Sequence, residues 1–132
     1  MSPRDLARVM AAGRIAIGAG LLAAPRLSLG MWLGREAATP SIAPVGRALG
    51  VREIVLGAMA LHVLDTPRVG SGLLRVLALC DGVDLVATLA AGRALPAPGR
   101  VLIAAMAGAG AGSQTWAAAQ LTPADPPPAQ AD

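Results

Sequence analysis

The sequence predicts an all-α fold, and more narrowly a four-helix transmembrane bundle running up-down-up-down. Three observations lead there. The 132 residues are 55% hydrophobic but only 14% charged, where a soluble domain carries about 25% charged residues. The apolar material is small: 30 Ala and 16 Gly stand beside two Trp, and Phe and Tyr are absent. Such side chains bury little area each, so a core in water would be weakly driven, whereas small residues let helices approach closely in lipid. Finally, Pro- and Gly-marked breaks divide the chain into four apolar stretches, each near the roughly 20 residues that span a hydrocarbon core.

The first stretch runs from about Asp5 to Ala24 and stops at Pro25. The second begins near Pro44, a residue suited to a first helical turn, and ends at Leu64 before Asp65-Thr66-Pro67. The third covers Val69 to Ala91, and the fourth Gly99 to Leu121. Between the first two, Arg26 to Gly34 is a short apolar segment with Trp32, expected to lie at a membrane interface. Residues 1–121 are thus expected to form one domain. The Pro-rich tail from Thr122 to Asp132 is expected to be disordered. Arg14 interrupts the first apolar run, so no secretory signal is expected.

All eleven basic residues are Arg, and the formal charge is +3. No basic run is present that could track a nucleic-acid backbone. The single Cys80 excludes an intrachain disulfide or a cysteine-cluster metal site. His62 has no second His at ligand spacing, so no metal is expected, and no Walker lysine follows the Gly-rich pieces. No cofactor is expected. The two tryptophans, Trp32 and Trp116, read as interface anchors.

Charges complicate the membrane assignment. On insertion scales Arg52 and Glu53 together cost about 5–7 kcal/mol at a helix centre, against about 3–5 kcal/mol recovered from the Leu, Ile and Val residues of the second helix. That helix would insert poorly alone. The fourth helix carries no charge from Val101 to Ala124. A soluble Ala-rich bundle is the competing reading. The membrane reading is preferred because the polar residues fall on defined faces.

On the second helix Gly46, Gly50, Glu53, Gly57 and Ala60 share one face at the 3–4 residue period. The first repeats this with Ala7, Ala11, Arg14 and Gly18, and the third aligns Leu77, Asp81, Asp84 and Thr88. The fourth is expected to present Ala105, Gly108, Gly112 and Thr115. Gly46/Gly50 and Gly108/Gly112, each four apart, are expected to serve close packing within the bundle rather than dimerisation. At 1.5 Å per residue, Glu53, Asp81, Asp84 and Gln114 come near mid-depth in alternating helices. Arg14 is shallower but long enough to reach them, and Arg52, turned by about 100° from Glu53, is expected to reach a neighbouring seam.

Ionisable groups inside a membrane are functional candidates. Glu53, Asp81 and Asp84 are the candidate catalytic carboxylates, and Arg14, Arg52 and Gln114 the candidate binding residues. Two arginines against three carboxylates leave one negative charge. One carboxyl, Asp81 or Asp84, is therefore expected to hold a proton, with Asp84 preferred. Three functions stay open: a structural or accessory subunit, or binder of a lipophilic molecule; an acid–base isomerase or cyclase acting on a lipophilic substrate; a proton or small-solute transporter. The expected partners are the bilayer and a lipophilic small molecule or membrane subunit, with self-association open and nucleic acid excluded.

Arg14 with IAIGAGLLAAP, RALGVREIVLG from Arg47 to Gly57, and CDGVDLVATL from Cys80 to Leu89 resemble the DoxX-like group and neighbouring small four-helix bacterial, largely actinobacterial, membrane proteins. The resemblance covers about residues 5 to 120 and implies a multi-pass cell-membrane protein linked to redox or oxidative-stress complexes. The chain departs from redox chemistry of its own, having neither paired cysteines nor a haem-type ligand pair. Seven arginines flank the expected spans: Arg4, Arg8 and Arg68 on the terminal side, and Arg26, Arg35, Arg93 and Arg100 opposite. The balance is nearly even, and with no signal sequence expected it leans to cytoplasmic termini.

Overall fold

A computed structural model describes residues 1–121; the expected disordered tail at 122–132 lies outside them. The described residues are all-helical. Four long helices are present: α1 (Pro3–Ala23), α3 (Ile42–Val63), α4 (Pro67–Ala91) and α5 (Ala97–Leu121). Their 21 to 25 residues correspond to about 32–38 Å. The expected interfacial segment is itself a helix, α2 (Pro25–Leu33), followed by a 3₁₀ turn over Gly34–Ala38.

Local chemistry sets these boundaries. Ser2 and Asp5 form a capping box at the start of α1, with the Asp5 N–H donating to Ser2 Oγ at 3.1 Å and the Ser2 N–H donating to Asp5 Oδ2 at 3.2 Å. This satisfies two amides that the helix cannot pair itself. Proline opens α1, α2 and α4, where its missing N–H costs nothing. Gly34 and Gly92 end α2 and α4 with φ of 61° and 53°, a region disfavoured for any residue with a Cβ. The Gly92 carbonyl then accepts a 2.6 Å hydrogen bond from Arg100 Nη1, which ties the α4–α5 connection.

Two antiparallel pairs make up the molecule: α1 lies along α3, and α4 along α5. The α1–α3 seam is glycine-built. A Cβ at Gly18 would stand 2.5 Å from the Gly50 carbonyl oxygen, and one at Gly57 2.7 Å from that of Ala11. The pairs meet mainly through α1 against α5, while α3 and α4 touch at few positions.

Two apolar clusters fill the ends. Ala7, Ala11, Ala60, Leu64, Leu74, Leu77, Ala117 and Ala118 pack at the end holding the N-terminus. Leu21, Leu29 and Ala37 pack at the other, with Trp32, Leu33, Ile42 and Leu49 against them. Trp32 is therefore part of a core cluster, with its ring N–H buried and unpaired among the described residues; Trp116 is exposed.

The buried faces agree with sequence periodicity on three helices. Ala7, Ala11, Arg14 and Gly18 are buried on α1, and Gly46, Gly50, Glu53, Gly57 and Ala60 on α3. Leu77, Asp81 and Thr88 are buried on α4, with Asp84 half-buried. On α5 the expectation fails. Ala107, Gly110, Gln114, Ala117 and Ala118 are buried, whereas Ala105, Gly112 and Thr115 are exposed and Gly108 half-buried. The face is turned by roughly 140° at 100° per residue. Small residues surround α5 on every side, so its sequence carries no period to orient it. Of the two Gly pairs expected to serve internal packing, Gly46 and Gly50 are buried, but a Cβ on Gly112 would meet open space.

By length and composition, one helix among the described residues, Pro3–Ala23, is apolar enough to cross a membrane. The charges of α3 and α4, and the glycines and Gln114 of α5, keep the other long helices from that class.

Candidate functional site

Between the two apolar clusters lies a charged layer. Arg14 reaches from α1 across the interior to α4. Its Nη1 donates to Glu53 Oε2 at 2.6 Å, and its Nη2 to Asp81 Oδ1 at 2.5 Å. Nη2 also lies 3.5 Å from the Leu77 carbonyl oxygen. Gln114, from α5, donates through Nε2 to Asp81 Oδ2 at 2.5 Å and to the Gly110 carbonyl at 2.9 Å. All four long helices thus contribute to one hydrogen-bonded layer. It is closed from the surface: Arg14 is 7% exposed, Glu53 8%, Asp81 9% and Gln114 1%.

The geometry fixes which groups donate and which accept. Gln114 Nε2 uses both its hydrogens, and a reversed amide would set its oxygen against the Gly110 carbonyl oxygen. Asp81 therefore accepts at both oxygens, from Arg14 and from Gln114. Glu53 accepts from Arg14 at one oxygen and has Arg52 Nε 3.4 Å from the other. Arg14 Nε, Gln114 Oε1 and Thr88 Oγ1 are buried and unpaired among the described residues.

Arg52 and Asp84 form a second, shallower unit. Arg52 Nη2 donates to Asp84 Oδ2 at 3.2 Å across the sparse α3–α4 seam, with side chains 38% and 36% exposed. The two aspartates, three residues apart on one helix, accordingly face different cations. Asp81 turns inward to Arg14, Asp84 turns to the seam and Arg52, and each has its own cation.

All six residues singled out from the sequence come together, divided into a buried layer (Arg14, Glu53, Asp81, Gln114) and a half-exposed pair (Arg52, Asp84). Gly110 is the position that sequence reasoning missed. A Cβ there would overlap Asp81 Oδ2, so glycine makes room for the carboxylate. Its spacing of four from Gln114 was the available signal. Among the described residues no group of three His, Cys, Asp or Glu side chains could hold a metal ion.

Comparison of the chain with family models, curated proteins and solved structures finds no match.

Proposed function

We propose that this is a small multi-pass protein of the cell membrane, similar to DoxX-like proteins in architecture. Its four long helices cross the bilayer up-down-up-down and act as a structural or accessory subunit. The observation that carries this reading is an inversion of polarity. A layer of charged and polar side chains is buried among Ala and Gly, while the outer faces present Val9, Ile17, Val51, Val55, Val83, Val86, Val101 and Met106 to the surroundings. Large apolar side chains thus stand exposed along all four long helices, a distribution that lipid accommodates. Within the bundle Glu53 and Asp81 pair with Arg14, and Asp84 with Arg52, which supports insertion of the helices as a bundle.

A packing role is favoured over acid–base catalysis because every oxygen of Glu53 and Asp81 faces a donor or cation. Neither carboxylate has a free edge to offer a substrate. The half-exposed Arg52–Asp84 pair, flanked by Val51, Val55, Val83 and Val86, is the place where the polar group of a lipophilic molecule or a partner subunit would dock. Alkaline carbonate extraction of membranes from cells expressing the full chain tests the reading. The protein should stay in the membrane pellet; release into the supernatant would overturn it.

A further inference from the structure

The charged layer leaves another cationic feature unused. Where α1 gives way to α2, an open cleft of about 460 Å³ is lined by Ala24, Pro25, Arg26, Leu27, Ala43 and Arg47. Arg26 and Arg47 are exposed, and neither has an ion pair among the described residues, unlike Arg8, Arg14 and Arg52. Two guanidinium groups in one cleft, with no carboxylate in its wall, suit an anionic oxygen cluster. The remaining lining is apolar.

The surroundings say which anion. Leu27 and Met31, four apart on α2, are exposed, while Pro25 and Leu29 on the opposite side are buried. A short helix with one apolar face turned outward lies at the depth of the headgroup–acyl boundary when the bundle is in a bilayer. The cleft then opens at phosphate level, with apolar surface directly beside it. We infer that Arg26 and Arg47 bind the phosphodiester of an anionic phospholipid, whose acyl chains run along Leu27. This rests on the membrane reading proposed above. It commits to a lipid rather than free phosphate, because the exposed apolar side chains flank the two arginines.

Native mass spectrometry of the detergent-solubilised full chain, titrated with phosphatidylglycerol or phosphatidylcholine, tests the site. At about 1 kcal/mol for each arginine near an anionic headgroup, phosphatidylglycerol should bind about thirtyfold more tightly. In Arg26→Gln/Arg47→Gln that preference should vanish with the melting temperature held. In Arg35→Gln/Arg93→Gln, which removes the same charge from the same end, it should persist. Equal loss in both double variants, or no preference in the parent, would overturn the site. So would inorganic phosphate raising the parent's melting temperature as much as phosphatidylglycerol does. A chain that fractionates with membranes yet shows no preference sinks this site alone. A chain recovered in the aqueous fraction sinks the membrane reading and the site with it.

Discussion

Arg14 holds two carboxylates, and the energetics of the charged layer follow from that asymmetry. Removing one partner of a buried ion pair costs about 3–5 kcal/mol, because the other charge is left unsolvated. Arg14→Met abandons Glu53 and Asp81 together and should be the most destabilising change in the layer. Asp81→Asn should follow. An amide offers one acceptor where Arg14 and Gln114 both donate, so one donor meets an N–H. Glu53→Gln should cost less, since the amide oxygen still accepts from Arg14 and the half-exposed Arg52 keeps Asp84. Asp84→Asn should lie within about 1 kcal/mol of the parent, as expected for a half-exposed pair. Melting temperatures of the four variants in detergent should fall in that order. If Arg14→Met melts above the parent, the layer does not hold the bundle together.

At the scale of the helix, the glycines separate into two kinds with opposite expected signs. Gly18 and Gly57 face backbone carbonyl oxygens across the α1–α3 seam, at 2.5 and 2.7 Å from an added Cβ. Backbone cannot swing aside, so Gly18→Ala and Gly57→Ala should each cost about 1–3 kcal/mol through forced separation of the helices. Gly13 and Gly112 would carry a Cβ into open space. There alanine only restrains the unfolded chain, and a gain of about 0.4–1 kcal/mol is expected. Thermal unfolding of these four variants checks the seam. Uniform effects across them would mean that α1 and α3 do not meet through glycine.

For the whole molecule, the antiparallel pairs place the start of α1 and the end of α5 in one apolar cluster, and the α4–α5 connection at the other end. Embedded in a membrane, the two ends face opposite compartments. In a Cys80→Ser background, Ser2→Cys and Ala94→Cys should therefore react with an impermeant maleimide from opposite sides of sealed vesicles. Labelling of both from one side would defeat the four-span topology.

How much of this was present in the sequence depends on where polar residues interrupt small ones. The breaks at Pro25, Pro67 and Gly92 and the buried faces of α1, α3 and α4 could be read directly, because a lone Arg14, Glu53 or Asp81 amid Ala and Gly marks the inward side. The meeting of Glu53, Asp81, Asp84 and Gln114 followed from depth, since rise per residue is constant along a helix, and that of Arg14 from the reach of its side chain. The orientation of α5 could not be read: with Ala and Gly on every side, only contact of Gln114 and Gly110 with Asp81 on a neighbouring helix selects its face. The division of charges was equally closed to sequence reasoning. Asp81 and Asp84 are three residues apart and look equivalent, but one turns to Arg14 inside the bundle and the other to Arg52 at the α3–α4 seam. Periodicity describes a helix about its own axis, whereas pairing depends on where four axes stand relative to one another, and only the tertiary structure decides that.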